Sequence, residues 1–235
     1  MKVAIMQPYL FPYIGYWQLI NAVDKFVILD DVNYIVRGYI NRNSILLNGK
    51  PYKFTIPIKK ASQNKLIKEM KLSFDKKEKD RFLSTVYNAY RKAPYYKRVE
   101  SILKEIVYFD EEDLTNYIYH SLKVITSYLG ISTEILISSK IEKDDSLKAQ
   151  ERIIEICKKL QTDMYVNPCG GRSLYRQERF QQENIRLYFL DTKSDEIVYS
   201  QGTEDFVRSL SIIDILMFND VNKIKEFLKE YELNV

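Results

Sequence analysis

The sequence predicts an α/β fold built on an open, mostly parallel sheet, with a hairpin and a helical insertion breaking into it. Three observations predict it. Short apolar, β-rich runs of the length of buried strands recur at 2–6, 25–29, 134–137, 164–167 and 185–190. Stretches with helical spacing separate them. The first strand, helix and strand also fit within about 30 residues, the span of a parallel βαβ unit.

Taken in order, KVAIM (2–6) is a strand closed by Gln7 and Pro8. Pro12 is tolerated in a first helical turn, so a short helix is predicted over 12–22, followed by the strand KFVIL (25–29) and then Asp30 and Asp31. At 41–58 apolar runs flank Asn48-Gly49, the dipeptide of a tight hairpin turn. Helical spacing over 76–91, 97–108 and 112–129, broken near Pro94 and stopped at Gly130, completes a basic hairpin plus helical insertion at 41–130. The βα alternation then returns: strand 134–137, helix 147–160, strand 164–167, helix 171–184, strand 185–190, and two last helices at 211–218 and 221–231. No repeat or linker interrupts this, so 1–235 is expected to be a single Rossmann-like α/β domain.

Composition narrows the function classes. The chain has 235 residues, 46% hydrophobic and 13% aromatic, with 19 Tyr against one Trp, one His and 7 Gly. An aromatic content that high excludes low-complexity disorder. Two cysteines and one histidine are too few for a disulfide framework or a Cys/His zinc site, so no metal ligand cluster is expected. No run of about 18 apolar residues and no cleavable leader occur, which reads as a soluble cytoplasmic protein without a membrane span. The net charge of +4 hides an asymmetry: residues 34–105 hold 18 Lys and Arg against 6 Asp and Glu. Such a block attracts phosphate or nucleic acid. Lysines spread over KLIKEMKLSFDKKEKDRF read better as a solvated helical face, and no nucleic-acid reader motif is present, so a nucleic-acid module ranks as the rival reading.

In open α/β sheets ligands lie beyond the carboxyl ends of the strands, where the strand order reverses. Three segments qualify. The first, QPYLFPYIGY, brings Gln7, Pro8, Tyr9, Tyr13, Gly15 and Tyr16 to the head of a helix, where free N–H groups favour an anion. Its spacing resembles the HIGH-type site of nucleotidylyltransferases and pantothenate synthetase, with phenols at Tyr13 and Tyr16 in place of both imidazoles. An aromatic cluster covering the sheet end is the competing account. The second segment carries Asp30, a candidate carboxylate or else a turn residue, and Arg42 beside Asn43, a candidate for bidentate pairing with phosphate or else a surface ion pair. In the third, NPCGGRSLY, two consecutive glycines suggest close backbone approach to a ligand, with Asn167, Gly170, Gly171 and Tyr175 as candidates. Cys169 is a possible nucleophile there, but the single histidine, His120, falls on a predicted amphipathic helix, so a Cys-His pair is not favoured. Asp214, in SLSIIDILM, sits on what reads as an apolar helix face, which favours a structural role.

QPYLFPYIGYWQLINAVDKFVILDDV, INRNSILLNGK with FTIPI, NPCGGRSLY and SLSIIDILMFND occur in that order over nearly the whole chain. Together they resemble the WbqC-like family, bacterial proteins encoded with genes for O-antigen and other surface polysaccharides. The resemblance implies modification of a nucleotide-linked aminosugar, by addition of a glycyl, aminoacyl or other acyl group to its amine. On that reading Asp30 is the candidate base, Tyr16 a second candidate catalytic group, and Arg42 and the two glycine-marked helix starts hold the phosphates. The cofactor is an activated acyl donor or ATP, the latter if the HIGH-like segment forms an adenylate. A non-catalytic partner of another sugar-modifying enzyme is the alternative, and an oligomer is compatible with either.

Overall fold

A computed structural model describes residues 1–235. Its chain begins with β1 (Lys2–Met6), α1 (Ile14–Asn21) and β2 (Lys25–Ile28). β1 and β2 pair in parallel, Val3 opposite Lys25 through Met6 opposite Ile28. The hairpin of β3 (Arg42–Leu47) and β4 (Lys50–Thr55) turns at Asn48 and Gly49, whose φ of 53° and 73° are the two positive values that an Asn-Gly turn supplies. A small antiparallel ribbon, β5 (Ile58–Lys59) with β6 (Lys71–Leu72), leads to α2 (Lys76–Tyr90), which opens on a reciprocal cap between Asp75 and Glu78. α3 (Tyr96–Val107) and α4 (Leu114–Leu129) follow, and α4 stops at Gly130 in the left-handed conformation, φ 66°.

The remaining elements are β7 (Glu134–Ile137), α5 (Ala149–Lys159), β8 (Met164–Pro168), α6 (Gln177–Gln181), β9 (Arg186–Thr192), α7 (Ile212–Phe218), α8 (Val221–Phe227) and β10 (Tyr231–Asn234). Six strands form one sheet in the order β10-β9-β8-β1-β2-β7, all parallel except β10. From β1 the chain builds outward to β2 and β7, then returns to lay β8 on the other side of β1. The strand order therefore reverses between β1 and β8, the position where such sheets open a crevice.

Period-two alternation sorts the strand side chains into two layers. Val3, Ile5, Val27, Tyr165, Leu187 and Phe189 pack with Ile153, Ile154 and Cys157 of α5 and Phe180 of α6. Ala4, Phe26, Ile28, Val166 and Leu190 join the larger cluster that holds α1, the helical insertion, α7 and α8. The sheet is thus covered on both faces, as the unbroken apolar strands require.

Two expected helices are shorter than their spacing suggested. In place of a helix over 171–184, Cys169–Leu174 forms a 3-10 turn, Tyr175 is extended (φ −129°, ψ 145°), and only Gln177–Gln181 is α-helical. The Arg176 amide bonds the Gln150 side chain at 2.6 Å, which fixes the break. The last helix stops at Phe227, and Tyr231 begins β10, whose backbone completes the open edge of β9.

The end of β2 is pinned by a buried ion pair. The Asp31 carboxylate meets Lys143 Nζ at 2.6 Å and Ser138 Oγ at 2.9 Å, with the Arg152 guanidinium 3.8 Å away. Burial works to raise the Asp31 carboxyl, but hydrogen bonds from Lys143 and Ser138 and the charges of Lys143 and Arg152 outweigh it and hold it below the ordinary range. A carboxyl depressed in the folded state contributes fully above its ordinary pKa of about 4 and loses that contribution as pH falls through the folded value. Lys143→Met is therefore expected to destabilise the protein by roughly 3–5 kcal/mol at pH 7, because it strands a buried carboxylate. Urea denaturation should show the gap from wild type narrowing at pH 3; an equal gap at both pH values contradicts this account.

Candidate functional site

The loop after β1 is the dock on which the site is assembled. Phe11 is fully buried with φ 48°, a strained value for a bulky residue, and its carbonyl accepts from Asn43 Nδ2 at 2.7 Å and from Ser211 Oγ at 2.8 Å. Pro12 offers its carbonyl to Trp17 Nε1 at 3.1 Å and to the Ile212 amide at 2.9 Å. One short stretch of chain thus positions the hairpin through Asn43, the start of α1 through Trp17, and α7 through Ser211.

Two adjoining clefts open beside this dock. The first, about 390 Å³, lies where α1 begins and where β8 and β9 end: Tyr13, Gly15, Pro168 to Gly170 and Leu190 to Thr192 line it, together with Tyr199 and Val207 to Ser209 from the segment after β9. The second, about 340 Å³, is lined by Tyr9, Tyr13 and Tyr39, by Arg42, Asn43, Ser44 and Lys53 of the hairpin, and by Ser209. Tyr13 and Ser209 belong to both. The Tyr9 ring lies 6.0 Å from Tyr39 and 6.5 Å from Tyr13, centroid to centroid, an aromatic lining of the kind that receives a planar ring.

The clefts differ in charge. Arg42 and Lys53 in the second have no carboxylate partner, and Arg42 Nε is buried without any hydrogen bond. In the first, Asp191 is the only carboxylate, itself outside any ion pair, while Arg208 is taken up by Asp195 at 3.1 Å and by the Ser194 carbonyl. Cys169 stands beside Asp191; desolvation and then that carboxylate push its thiol above the ordinary value. A thiol held protonated is a poor resting nucleophile. His120 stacks on Phe109 at 3.8 Å, on α4, and forms no pair with Cys169.

Gly15 is required by the space. A Cβ there would stand 2.5 Å from the Tyr13 ring and 2.8 Å from Thr192 Oγ1, so any side chain would displace a wall of the first cleft.

Of the residues expected at the site, Tyr9, Tyr13, Gly15, Arg42, Asn43 and Gly170 lie on cleft walls. The others do not. Tyr16 is 3% exposed in the core, its hydroxyl donating to the Gln7 carbonyl at 2.9 Å and its ring edge-on to Phe26, and burial raises its phenol far above the ordinary value. Gln7 and Pro8 are the turn that receives it. Asp30 is 1% exposed, with one oxygen accepting from the Ser139 amide at 2.9 Å and the other from Ser139 Oγ at 2.6 Å; burial raises its carboxyl and these bonds partly offset that. It closes the ends of β2 and β7 rather than either cleft. Asn167 accepts from Tyr165 at 3.0 Å and donates to the Pro168 carbonyl, Gly171 leaves room for the Asn167 amide, which a Cβ would meet at 2.1 Å, and Tyr175 packs on Tyr165. These three form the packing behind the 3-10 turn. Sequence reading missed Lys53, Tyr39, Ser209 and Asp191. Only Asp191 carried a signal: it ends the strand run LYFLD, at the same sheet edge as the three segments considered.

The segment that completes the first cleft is held by one buried carboxylate. Asp214 is fully buried and accepts from Tyr90 Oη at 2.8 Å, Tyr199 Oη at 2.6 Å and Gln201 Nε2 at 2.8 Å. Tyr90 in turn accepts from the Leu46 amide of β3 at 2.8 Å, and Gln201 bonds both backbone groups of Val207. Burial raises the Asp214 carboxyl, while its three donors pull the other way.

No helix is long and apolar enough to cross a membrane, and no group of three or more His, Cys, Asp or Glu is placed to hold a metal ion. The model of the WbqC-like protein family matches residues 7–226, a span that includes both clefts and the Asp214 network. An uncharacterized protein of Mycobacterium tuberculosis, Rv1507c, is 30% identical over 231 residues, covering 97% of either chain. No solved structure matches the chain.

Asp214→Ala should leave two buried donors, Tyr90 and Gln201, without that acceptor, at about 1–3 kcal/mol each, and the half-buried Tyr199 as well. Tyr199→Phe removes one donor and spares the carboxylate, so chemical denaturation is expected to rank Asp214→Ala well below Tyr199→Phe in stability. Comparable, small losses for both would mean that the network does not hold the segment.

Proposed function

This chain belongs to the WbqC-like protein family, and on that premise we propose that it is a transferase that adds a glycyl, aminoacyl or other acyl group to the amine of a nucleotide-linked deoxy-aminosugar for surface polysaccharide such as O-antigen. The observation that carries the reading is the unpaired Arg42 guanidinium, set with Lys53 among three tyrosines in the second cleft. A buried N–H without a partner is costly. A diphosphate supplies acceptors matched to a guanidinium fork, and the nucleobase and sugar offer flat faces to the phenols.

The reaction asks little else of the protein. A neutral amine attacks the acyl carbonyl, a C–N bond forms, the bond to the leaving group breaks with its electron pair, and the amine loses one proton. Rate comes from holding amine and donor together in a place shielded from water. The first cleft, walled by Ile14, Leu190, Ile197 and Val207 and adjoining the second at Tyr13, offers such a place. The donor is an activated acyl or aminoacyl group; in the ATP-dependent form the protein would make an aminoacyl adenylate, which pyrophosphate exchange dependent on an amino acid would reveal.

Purified protein given nucleotide-linked aminosugars and activated glycyl or acyl donors is expected to yield products heavier by the acyl group in mass spectrometry. Arg42→Ala should lower kcat/KM by about 10- to 100-fold, the loss typical of a charge-assisted hydrogen bond. Undiminished turnover by Arg42→Ala, or a wild-type protein that binds no nucleotide-sugar, would remove this reading.

A further inference from the structure

The two clefts differ in charge and share a wall. Arg42 and Lys53 make the second cationic and no carboxylate lines it. The first holds Asp191 free of any ion pair, and its one arginine, Arg208, is already engaged by Asp195. A ligand that spans Tyr13 and Ser209 would meet two cations at one end and the Asp191 carboxylate at the other. A nucleotide-linked aminosugar fits that arrangement: a diphosphate and, one sugar ring away, an ammonium group. We infer that the site is divided, with the diphosphate on Arg42 and Lys53 and the sugar's ammonium group against Asp191.

The inference rests on the proposed substrate class and adds to it an orientation and a recognition residue that sequence reading did not find. Asp191 sits at the carboxyl end of β9, next to Thr192, whose hydroxyl donates to Gln18 Oε1 at 2.8 Å and so fixes the strand end against α1. The carboxylate is thus presented from a rigid element on the wall of the first cleft. Held there, an ammonium group is selected by charge, and the same carboxylate is within reach of the proton that the amine must give up before it attacks. Acylation turns the ammonium nitrogen of the sugar into a neutral amide, so a product whose added group has no amine of its own loses this contact.

Calorimetric titration with three probes separates the parts: UDP or dTDP, the same carrier bearing an aminosugar, and its N-acetylated counterpart. Arg42→Ala and Lys53→Ala are expected to weaken all three by about tenfold or more. Asp191→Asn, an isosteric change at an exposed position, should leave the nucleoside diphosphate and the N-acetylated sugar within about twofold of wild type and weaken the aminosugar about tenfold. An aminosugar no more sensitive to Asp191→Asn than its acetylated form, or diphosphate binding indifferent to Arg42→Ala, overturns the inference. Because the readout is binding, the two ideas fail separately. Absence of transfer with every donor counts against the transferase and leaves the Asp191 coupling to be read, while transfer without that coupling removes only the divided site.

Discussion

The geometry of the site depends on a carboxylate that never reaches solvent. Asp214 gathers hydroxyls from α2 and from the segment after β9, and a side-chain amide from that same segment. A buried carboxyl group tolerates few arrangements, because each polar position left without a partner costs desolvation without return. The constraint therefore runs outward. Tyr90 must stand where it can also take the Leu46 amide, which fixes the hairpin, and Gln201 must stand where it can also clasp Val207, which fixes a wall of the first cleft. One buried carboxyl group thus couples elements that are more than a hundred residues apart in sequence, and it does so without touching either cleft.

The sheet supplies the other half of the arrangement. Reversal of strand order between β1 and β8 frees their carboxyl ends, and α1 leaves β1 through a loop whose carbonyls at Phe11 and Pro12 are claimed by the hairpin and by α7. The first cleft lies at the ends of β8 and β9, the second against the hairpin, and Asn167 at the end of β8 is occupied by its hydrogen bond from Tyr165. A strained Phe11 and a glycine that admits no Cβ at position 15 both lie on this loop and its helix. The strain at Phe11 is held in place by the bonds its carbonyl accepts from Asn43 and Ser211.

The strands and most helices were legible because each has a periodicity of its own: unbroken apolar runs in a sheet covered on both faces, an Asn-Gly turn, a capping pair at Asp75, a glycine stop at Gly130. What escaped has no local code. The segment from Ser194 to Leu210 is irregular, and its place is set by Asp214 rather than by any pattern within it. β10 was not expected, the last helix having been read as far as 231, because edge pairing with β9 is a long-range event. Arg42 was legible as a candidate for a cleft wall from its type and position, whereas Asp30 was not separable from a structural carboxylate, since its partner Ser139 lies on another strand's end.

Tyrosine shows why residue type alone could not mark the site. A phenol is at once a large apolar body and a hydrogen-bonding tip, so it serves a core as readily as a pocket. Tyr16 and Tyr165 spend their hydroxyls on buried carbonyl or amide oxygens, Tyr90 and Tyr199 spend theirs on Asp214, and all four are positioned by packing. Tyr9, Tyr13 and Tyr39 differ in one respect: none makes a hydrogen bond within the protein through its hydroxyl, although each touches a neighbouring ring. A phenol with its ring supported and its hydroxyl free can still form a hydrogen bond, and three of them line the second cleft beside the unpaired Arg42 guanidinium.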